Sequence, residues 1–317
     1  MTGRVFIDGH VGTTGLRIQK LLAHHEAVEL LTLPEAQRKD ESARRDALNQ
    51  ADVCVLCLPD AAALQAASWL ENADTRLLDA STAHRVDPDW VYGLPELGAE
   101  QRTEIRAARR VSNPGCYPQG VILALRPLIG AGIVPSSFPL IVHSLSGYSG
   151  GGRELIERWE AQEPGLLSLK HAAPYALDRL HKHIPEMTLY SGLEHEPHFV
   201  PSVGPFYCGM RTELSLPVQA LSSGATGKTI WEVLDASYRD EAFVQVERFS
   251  EPLASDELSF DPQAFNETNQ FSIAVVSNPL GHVALIIRYD NLGKGAAGSA
   301  VQNLNLMLGL DEGTGLR

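Results

Sequence analysis

The 317-residue chain is poor in cysteine, in positive charge and in long apolar runs. It has four cysteines, and its 26 lysines and arginines face 39 aspartates and glutamates, for a net charge of −13. An acidic chain disfavours sequence-independent binding of nucleic acid, which needs basic surface to neutralise phosphates. No apolar run reaches the roughly eighteen residues of a membrane-spanning helix. The start MTGRVFIDG lacks the apolar core of a signal peptide. We therefore expect a cytoplasmic protein without nucleic-acid or membrane partners.

The cysteines point to a reducing compartment rather than to disulfides. Cys54 and Cys57 form a CxxC inside VCVLCLP, an apolar run that predicts a buried strand. A strand directs two such residues to opposite faces, so we favour two core cysteines over a zinc or redox pair. Cys116 stands in a different context, SNPGCYPQG, where it follows Pro-Gly and precedes an apolar helix pattern.

Strand and helix patterns alternate through the first part of the chain, and strands dominate the second. The alternation runs from RVFIDG and GTTGLRIQKLLAHH to RLLDAS, which favours a doubly wound parallel sheet in an α/β domain. Later strands such as PLIVHSLSGYS, HFVPSVGPFY and HVALIIRYD predict a mixed, mostly antiparallel sheet in an α+β domain. The helix NLGKGAAGSAVQNLNLMLGL has an apolar stripe that fits a return to the first domain. We therefore predict one domain from residues 1–115 and 290–317 and a second from residues 116–289.

A glycine-rich turn follows the first strand. Gly9, Gly12 and Gly15 in DGHVGTTG stand between a strand and a helix, as in the Rossmann turn that brings backbone close to a pyrophosphate. The spacing GxxGxxG departs from GxGxxG and is also typical of an ordinary turn, but its context favours dinucleotide binding. Arg38 and Lys39 follow the second strand, where positive charge suits a 2′-phosphate. NADP is therefore favoured over NAD, the alternative being that these are solvated loop charges.

Cys116 is a candidate nucleophile at the start of a helix. Free backbone N–H groups and the helix dipole stabilise a thiolate there, and the same amides suit an oxyanion. A buried cysteine at a turn is an equally good interpretation of this motif alone. The segment HKHIPE supplies His181 and His183 as candidate acid–base partners. A metal site is disfavoured because no third ligand is suitably spaced.

Together, SNPGCYPQG and HKHIPE resemble the N-acetyl-γ-glutamyl-phosphate reductase family of arginine biosynthesis, in its shorter form. The resemblance continues in order through GHVGTTG, DASTAHR, SGYSGGGR, FVPSVGPFY and DNLGKGAAGSAVQNLN, and so covers essentially the whole chain. That family is related to aspartate-semialdehyde dehydrogenase, with which it shares a fold and thioacyl chemistry. The resemblance implies a Rossmann-type NADP-binding domain and a second domain for catalysis, substrate binding and oligomerisation.

The resemblance also implies a reaction and its two catalytic residues. It predicts NADPH-dependent reduction of N-acetyl-γ-glutamyl phosphate to N-acetylglutamate 5-semialdehyde with release of phosphate. Cys116 is implied as the nucleophile that forms a thioester, and His183 as the acid–base residue. A homo-oligomer, dimer or tetramer, is expected, and no metal.

Further site residues follow from matching positions in the family motifs. The residues implied in substrate binding are Arg85, Asn113, Arg153, Lys182 and Glu186. Those implied in cofactor binding are Gly9, Gly12, Thr13, Thr14, Gly15, Ser81, Ser146, Gly147, Asn291 and Gly295.

The chain departs from the family pattern at Gln119, where threonine is usual, and at Cys208, where a polar residue is common. Two other hypotheses stay open. One is a related acyl-phosphate reductase acting on an aspartyl or another N-acylated substrate, and the other is a non-catalytic NADP-binding sensor. The role of His181, the cations that hold the substrate's anionic groups, and the N-acyl group are also left open.

Overall fold

The computed structural model describes residues 2–161, 166–254 and 256–317, which fall into two units. The first comprises Met1–Gly115 and Ala296–Arg317, and the second Cys116–Gly295. Residues 290–295 thus lie with the second unit, whereas the sequence interpretation placed them with the first. No helix in the described parts of the chain is both long and apolar enough to cross a membrane.

The first unit is built on a six-stranded parallel sheet in the order β2-β1-β3-β4-β6-β5. Its strands are β1 Gly3–Asp8, β2 Val28–Leu31, β3 Val53–Leu56, β4 Arg76–Asp79, β5 Val91–Tyr92 and β6 Arg110–Ser112. The helices between them are α1 Thr13–Leu22, α2 Glu41–Gln50, α3 Asp60–Ser68 and α4 Ala99–Ala107. Strand β3 is buried at every residue, as expected for a parallel strand covered on both faces.

The two cysteines of the CxxC lie on opposite sides of this sheet. Cys54 belongs to a cluster with Phe6 and Leu48, whereas Cys57 packs against the cluster of Val5 and Ile7. Burial raises the pKa of both thiols, that of Cys57 to about 12. The prediction of two separate apolar cysteines is confirmed.

The second unit carries a seven-stranded mixed sheet in the order β11-β12-β13-β10-β7-β9-β8. Its strands are β7 Ile141–Gly147, β8 Ala173–Pro174, β9 His198–Gly204, β10 Met210–Leu216, β11 Val244–Val246, β12 Phe271–Ser277 and β13 Val283–Tyr289. Only the β7–β9 and β11–β12 pairs are parallel within the described sheet, so the prediction of a mostly antiparallel sheet is confirmed.

The described residues of the second unit form four helices. They are α5 Cys116–Gly130, α6 Gly152–Glu160, α7 Ile184–Ser191 and α8 Gly227–Tyr238. Helix α5 is apolar on almost every side and packs against α7, α8, β10 and β13. It is therefore a central helix that must be buried on all faces, and its first residue is Cys116.

The C-terminal helix α9, Gly298–Met307, starts later than the sequence predicted. A π-helical turn, Gly293–Ala297, precedes it. The Asp290 carboxylate accepts the Leu292 N–H at 2.9 Å, and the Asp290 carbonyl accepts the Gly295 N–H at 2.9 Å. These two hydrogen bonds hold the segment in a form that differs from a regular α-helix. Helix α9 packs against α1 and α4, with Ala300 and Leu304 in the core and Leu308 at its edge.

Candidate active site

The glycine-rich turn of the first unit has the backbone of an anion-binding loop. Gly9 follows β1 with a φ of +88°, and a Cβ there would lie 2.3 Å from the Cys57 carbonyl oxygen. Only glycine therefore fits this position. Gly12 caps α1 without a side chain of its own, which leaves the first amides of the helix directed at the turn. The predicted Thr13, Thr14 and Gly15 are the first three residues of that helix.

A cavity of about 200 Å³ adjoins this turn within the first unit. Arg38 and Lys39 line it together with Gly9, so the two cations singled out in the sequence share a cavity with the glycine turn. Arg38 also pairs with Glu35, with Nε 2.5 Å from Oε1. This arrangement is typical of an adenosine site with positive charge at its rim.

Arg44 lines the same cavity and was missed by the sequence reasoning. Its Nε and Nη2 donate to the Asp8 carboxylate at 3.0 Å and 2.9 Å, and its guanidinium lies 4.9 Å from the centre of the Trp69 ring. Asp8 is buried, so this ion pair is held rigidly between β1 and α2. The sequence signal was a basic residue in the first turn of the helix that follows Arg38 and Lys39.

The segment after β4 is organised by Asp79. The Ser81 N–H donates to Oδ1 of this buried carboxylate at 2.9 Å and the Ser81 hydroxyl to Oδ2 at 2.7 Å. His84 places Nδ1 2.6 Å from Oδ2 and stacks on Trp90, with ring centres 4.0 Å apart. The carboxylate thus fixes Ser81, the predicted cofactor contact, and the residue that precedes Arg85.

Arg85 and Asn113 come together inside the first unit. The buried Arg85 donates through Nε to the Asn113 carbonyl at 3.0 Å and through Nη2 to the Ala80 carbonyl at 3.2 Å. The Asn113 side chain donates to the Ala296 carbonyl at 3.1 Å and accepts from the Asn303 amide at 3.1 Å. A guanidinium stays positively charged when it donates to carbonyls, and its planar group of donors suits an anionic group.

Three tyrosines of the second unit lie near Cys116. Tyr117 follows it in the chain, the Tyr289 hydroxyl donates to the Cys116 carbonyl at 2.6 Å, and the Tyr175 hydroxyl donates to the Tyr117 hydroxyl at 3.2 Å. Burial raises the pKa of Tyr117, Tyr175 and Tyr289, and a negative charge on Cys116 raises each of them further. These phenols therefore stay protonated near a thiolate and act as neutral donors. The predicted Gly295 lies against the same cysteine, since a Cβ there would stand 3.1 Å from the Cys116 Cβ.

His183 lies beside Tyr117, the residue after the cysteine. The two rings are 5.8 Å apart, and His183 is buried at the N-cap of α7. The His183 N–H donates to Nδ1 of His181 at 3.2 Å, and the His181 Nε2 lies 3.4 Å from the Tyr175 hydroxyl. The pKa of His181 falls to about 4, because burial disfavours its cation and Lys182 and Arg179 add positive charge. His181 is thus neutral at physiological pH and accepts the backbone N–H of His183.

Three other predicted substrate contacts lie in varied surroundings. Glu186 is buried in the first turn of α7, near His183. Lys182 is exposed in the turn before that helix. Arg153 is exposed on α6 and pairs with Glu157 at 2.7 Å. The described structure therefore gives neither Lys182 nor Arg153 the buried setting that Arg85 has.

The glycine-rich segment begins at the end of β7, where Ser146 lies near Tyr117, the residue after the cysteine. Ser146 interacts with the Tyr117 hydroxyl, and its own hydroxyl donates to the Gly147 carbonyl at 3.1 Å. The buried Asn291 side chain donates to the Ser149 hydroxyl at 3.0 Å and accepts the Gly209 N–H at 2.9 Å. Asn291 thereby fixes the path of this loop. The Cys208 thiol lies 3.5 Å from the same serine hydroxyl.

Gln119, the residue that departs from the family pattern, is wholly buried. Its side-chain amide donates to the Lys294 carbonyl at 2.9 Å. It therefore ties the first turn of α5 to the π-helical turn that contains Gly295. Threonine, the usual residue at this position of the family motif, is too short to reach the Lys294 carbonyl in the same way. The contact is therefore specific to the variant of the motif found in this chain.

Comparison with known proteins assigns both units. Residues 4–105 match the semialdehyde dehydrogenase NAD-binding domain, and residues 116–291 the semialdehyde dehydrogenase dimerisation domain. Solved aspartate semialdehyde dehydrogenases have the same fold. The enzyme II of Vibrio cholerae has a TM-score of 0.71 at 16% identity over 97% of this chain and 98% of its own. The enzyme of Francisella tularensis has a TM-score of 0.72 at 16% identity over 97% and 100%.

The fold and the site thus define an oxidoreductase of the semialdehyde dehydrogenase class with a nicotinamide cofactor. Two proteins named N-acetyl-gamma-glutamyl-phosphate reductase are similar to this chain in sequence. The protein of Burkholderia cenocepacia is 46% identical to it, over 96% of this chain and 97% of that protein. The protein of Trichormus variabilis is 45% identical to it, over 99% of both chains. The chain belongs to the N-acetyl-gamma-glutamyl-phosphate reductase family. The predicted family, fold class and enzyme class are confirmed.

Proposed function

We propose that the protein reduces N-acetyl-γ-glutamyl phosphate to N-acetylglutamate 5-semialdehyde with NADPH, through a thioester on Cys116, in the synthesis of arginine. The observation that carries this proposal is the position of Cys116, the first residue of the buried helix α5, with the Tyr117–His183 pair beside it. The identity of 45–46% with reductases of that name supports the substrate.

The chemistry follows from the thiol at a helix N-terminus. The Cys116 thiolate attacks the acyl carbon, phosphate leaves with the bonding electron pair, and a thioester remains on the enzyme. When bound, NADPH supplies the hydride that reduces this thioester. The thiolate then leaves from the carbon that has become the aldehyde. The backbone amides of the first turn of α5 are the proposed donors to the developing oxyanion.

His183 is proposed as the residue that gives and takes the proton at the reacting oxygen. His181 holds the His183 backbone and, with a pKa of about 4, stays neutral at physiological pH. It therefore adds no positive charge that would disfavour protonation of His183. Of the two histidines in HKHIPE, His183 is thus the better acid–base candidate.

The residues of the first unit fit NADPH. Gly9 permits the tight turn that packs against the Cys57 carbonyl, and the first amides of α1 beside this turn are the proposed donors to the pyrophosphate. Arg38 and Lys39 on the cavity rim are proposed to bind the 2′-phosphate that distinguishes NADPH from NADH. Ser81, Ser146, Gly147, Asn291 and Gly295 remain proposals as cofactor contacts.

The substrate's anionic groups need cations in a chain whose net charge is −13. Arg85 is the best of these, because it is buried and its guanidinium is held in place by the Asn113 and Ala80 carbonyls. Asn113, Glu186, Lys182 and Arg153 remain predictions for the rest of the substrate.

The reverse reaction tests the proposed function. N-acetylglutamate 5-semialdehyde, phosphate and NADP⁺ should yield NADPH, and omission of phosphate should stop steady turnover. Aspartate semialdehyde and NAD⁺ should each support turnover at least roughly a hundred-fold less well. A preference for aspartate semialdehyde would contradict the substrate assignment.

The thioester step is tested by Cys116→Ala. Its turnover should fall at least roughly a thousand-fold, while the free energy of unfolding stays near that of the parent. Cys208→Ser is the matched control, since it changes another buried thiol of the same unit. Full activity in Cys116→Ala would overturn the covalent mechanism.

A further inference from the structure

Tyr289 makes an unusual contact with the first turn of α5. This last residue of β13 is wholly buried. Its hydroxyl donates to the Cys116 carbonyl at 2.6 Å and accepts the Gly120 N–H at 3.2 Å. Residues 116 and 120 are the first pair that an α-helix joins by its own i to i+4 hydrogen bond. A side chain from a distant strand therefore bonds both members of the pair that opens the helix.

The surroundings of Tyr289 fit this contact closely. A Cβ at Gly120 would lie 2.9 Å from the tyrosine oxygen and 3.3 Å from the Thr212 hydroxyl, so glycine permits the approach. The Thr212 hydroxyl is 2.9 Å from that of Ser144. The ring stacks on Phe271 with centres 4.7 Å apart. Packing and polar contacts thus hold the hydroxyl at one place.

The Tyr289 hydroxyl is also coupled electrostatically to the Cys116 thiol. Burial and the charge of Cys116 raise the pKa of Tyr289, so its hydroxyl remains a donor at every pH at which the enzyme works. The hydroxyl bonds the carbonyl of the reacting residue itself. Movement of that peptide would move the Cα–Cβ bond of Cys116, and with it the sulfur.

We propose that Tyr289 is a positioning residue for the nucleophile: its hydroxyl, bonded to Cys116 and Gly120, holds the first turn of α5 in the form in which the Cys116 thiol reacts fastest. This inference rests on the proposed function of Cys116. It does not make Tyr289 a group that touches the substrate.

The chain offers a matched control on the same helix. Tyr238 is also buried, and its hydroxyl donates to the Leu123 carbonyl of α5 at 2.6 Å. Tyr289→Phe and Tyr238→Phe each remove one phenolic hydrogen bond to a carbonyl of this helix. A general loss of packing or helix stability should affect both variants, whereas loss of thiol positioning should affect Tyr289→Phe alone.

The experiment measures alkylation of Cys116 by iodoacetamide from pH 6 to 9 without substrates, with the labelled peptide identified by mass spectrometry. Tyr289→Phe should lower the plateau rate constant and kcat about ten-fold each, a typical result of losing one positioning hydrogen bond, with KM changed less than two-fold. Tyr238→Phe should match the parent in both rates. Equal effects in the two variants, or a normal alkylation rate in Tyr289→Phe, would overturn the inference.

Two further variants keep the outcome decisive. Gly120→Ala keeps the phenol but presses a methyl group against its oxygen, and it should also slow alkylation of Cys116. It replaces Tyr289→Phe if that variant does not fold, and an unchanged rate in it would count against the positioning role. Cys116→Ala tests the proposed function separately. If it is inactive while Tyr289→Phe and Gly120→Ala behave like Tyr238→Phe, only the present inference fails.

Discussion

At the scale of single residues, the two histidines of HKHIPE differ by environment rather than by type. His181 is bonded on both sides, by the His183 N–H and by the Tyr175 hydroxyl. Its low pKa and its place next to His183 make it a neutral support. The sequence identified both histidines as candidates, but the difference between their surroundings follows from their positions in the turn before α7.

His181 should contribute a pH dependence to stability. Its pKa falls from 6.5 in the unfolded chain to about 4 in the fold, so the unfolded state binds the proton more readily. The free energy of unfolding should therefore fall as pH drops below 6.5 and level off near 4. Between pH 7 and 5 this loss should be on the order of 1 kcal/mol, allowing for solvent screening at a partly exposed ring.

Urea unfolding of His181→Asn at pH 7 and 5 measures that contribution. The variant lacks the titrating ring, so its stability relative to the parent should improve on going to pH 5. His195→Asn, which changes an exposed histidine of the same unit, should show no such trend. A constant difference between His181→Asn and the parent would refute the prediction.

Cofactor preference should depend on Arg38 and Lys39. Replacement of both by serine removes the positive charge from the cavity rim, so kcat/KM for NADPH should fall roughly ten- to a hundred-fold while that for NADH changes less than two-fold. Lys20→Ser on α1 is the control for loss of an exposed cation. An equal loss with both cofactors would show that these residues do not read the 2′-phosphate.

The separation along the chain between interacting residues explains which site residues could be predicted from the sequence. Cys116 and His183 lie in short motifs whose chemistry is visible locally. Arg44 reaches the cavity beside the glycine turn only because α2 packs on β1, and Tyr289 reaches Cys116 from 173 positions away. Contacts of that kind are set by tertiary packing, which no local pattern in one sequence specifies.

At the scale of elements, alternation of apolar runs predicted β1 to β4 and α1 to α3, and the long strands of the second sheet. Helix α4 was missed because it buries only Ile105 and so shows no clear apolar stripe. Helix α8 had a local signal in its Thr226–Thr229 capping box. The π-helical turn before α9 depends on the Asp290 contacts and was read as ordinary helix.

The turn between β1 and α1 should not tolerate a side chain at Gly9. Gly9→Ala combines a left-handed backbone with a Cβ only 2.3 Å from a carbonyl oxygen, so it should destabilise the fold by about 1–3 kcal/mol and weaken NADPH binding. Fluorescence titration and urea unfolding would measure both effects. Gly130→Ala, at the end of α5 where a Cβ meets nothing within 4 Å, should leave cofactor affinity unchanged. Equal affinities in the two variants would contradict the role of the turn.

At the scale of the whole molecule, the seven-stranded sheet of the second unit has unequal faces. The face toward α5 is buried, while the opposite face exposes parts of Leu145, Val200 and Ile286. Polar residues lie among these, since Arg211 is in register with Leu145 and His143 with Val200. This mixed sheet face, in a domain whose family match is a dimerisation domain, is our candidate contact for a second copy of the chain. The homo-oligomer expected from the sequence therefore has a candidate surface.

Leu145→Glu should disrupt that association. A carboxylate at this position would lose its hydration between two copies, so sedimentation velocity at micromolar concentration should shift toward the monomer. Leu64→Glu, at an exposed leucine on α3 of the first unit, is the control and should sediment like the parent. An unchanged oligomer in Leu145→Glu would place the interface elsewhere.

The central claim is that Cys116 carries the acyl group between substrate and product. Mixing the enzyme with N-acetylglutamate 5-semialdehyde and NADP⁺ without phosphate should give a single burst of one NADPH per active site. Intact-mass analysis and peptide mapping should then locate the N-acetylglutamyl thioester on the peptide that contains Cys116, and added phosphate should discharge it. A burst without acylation, or acylation of another residue, would contradict the account.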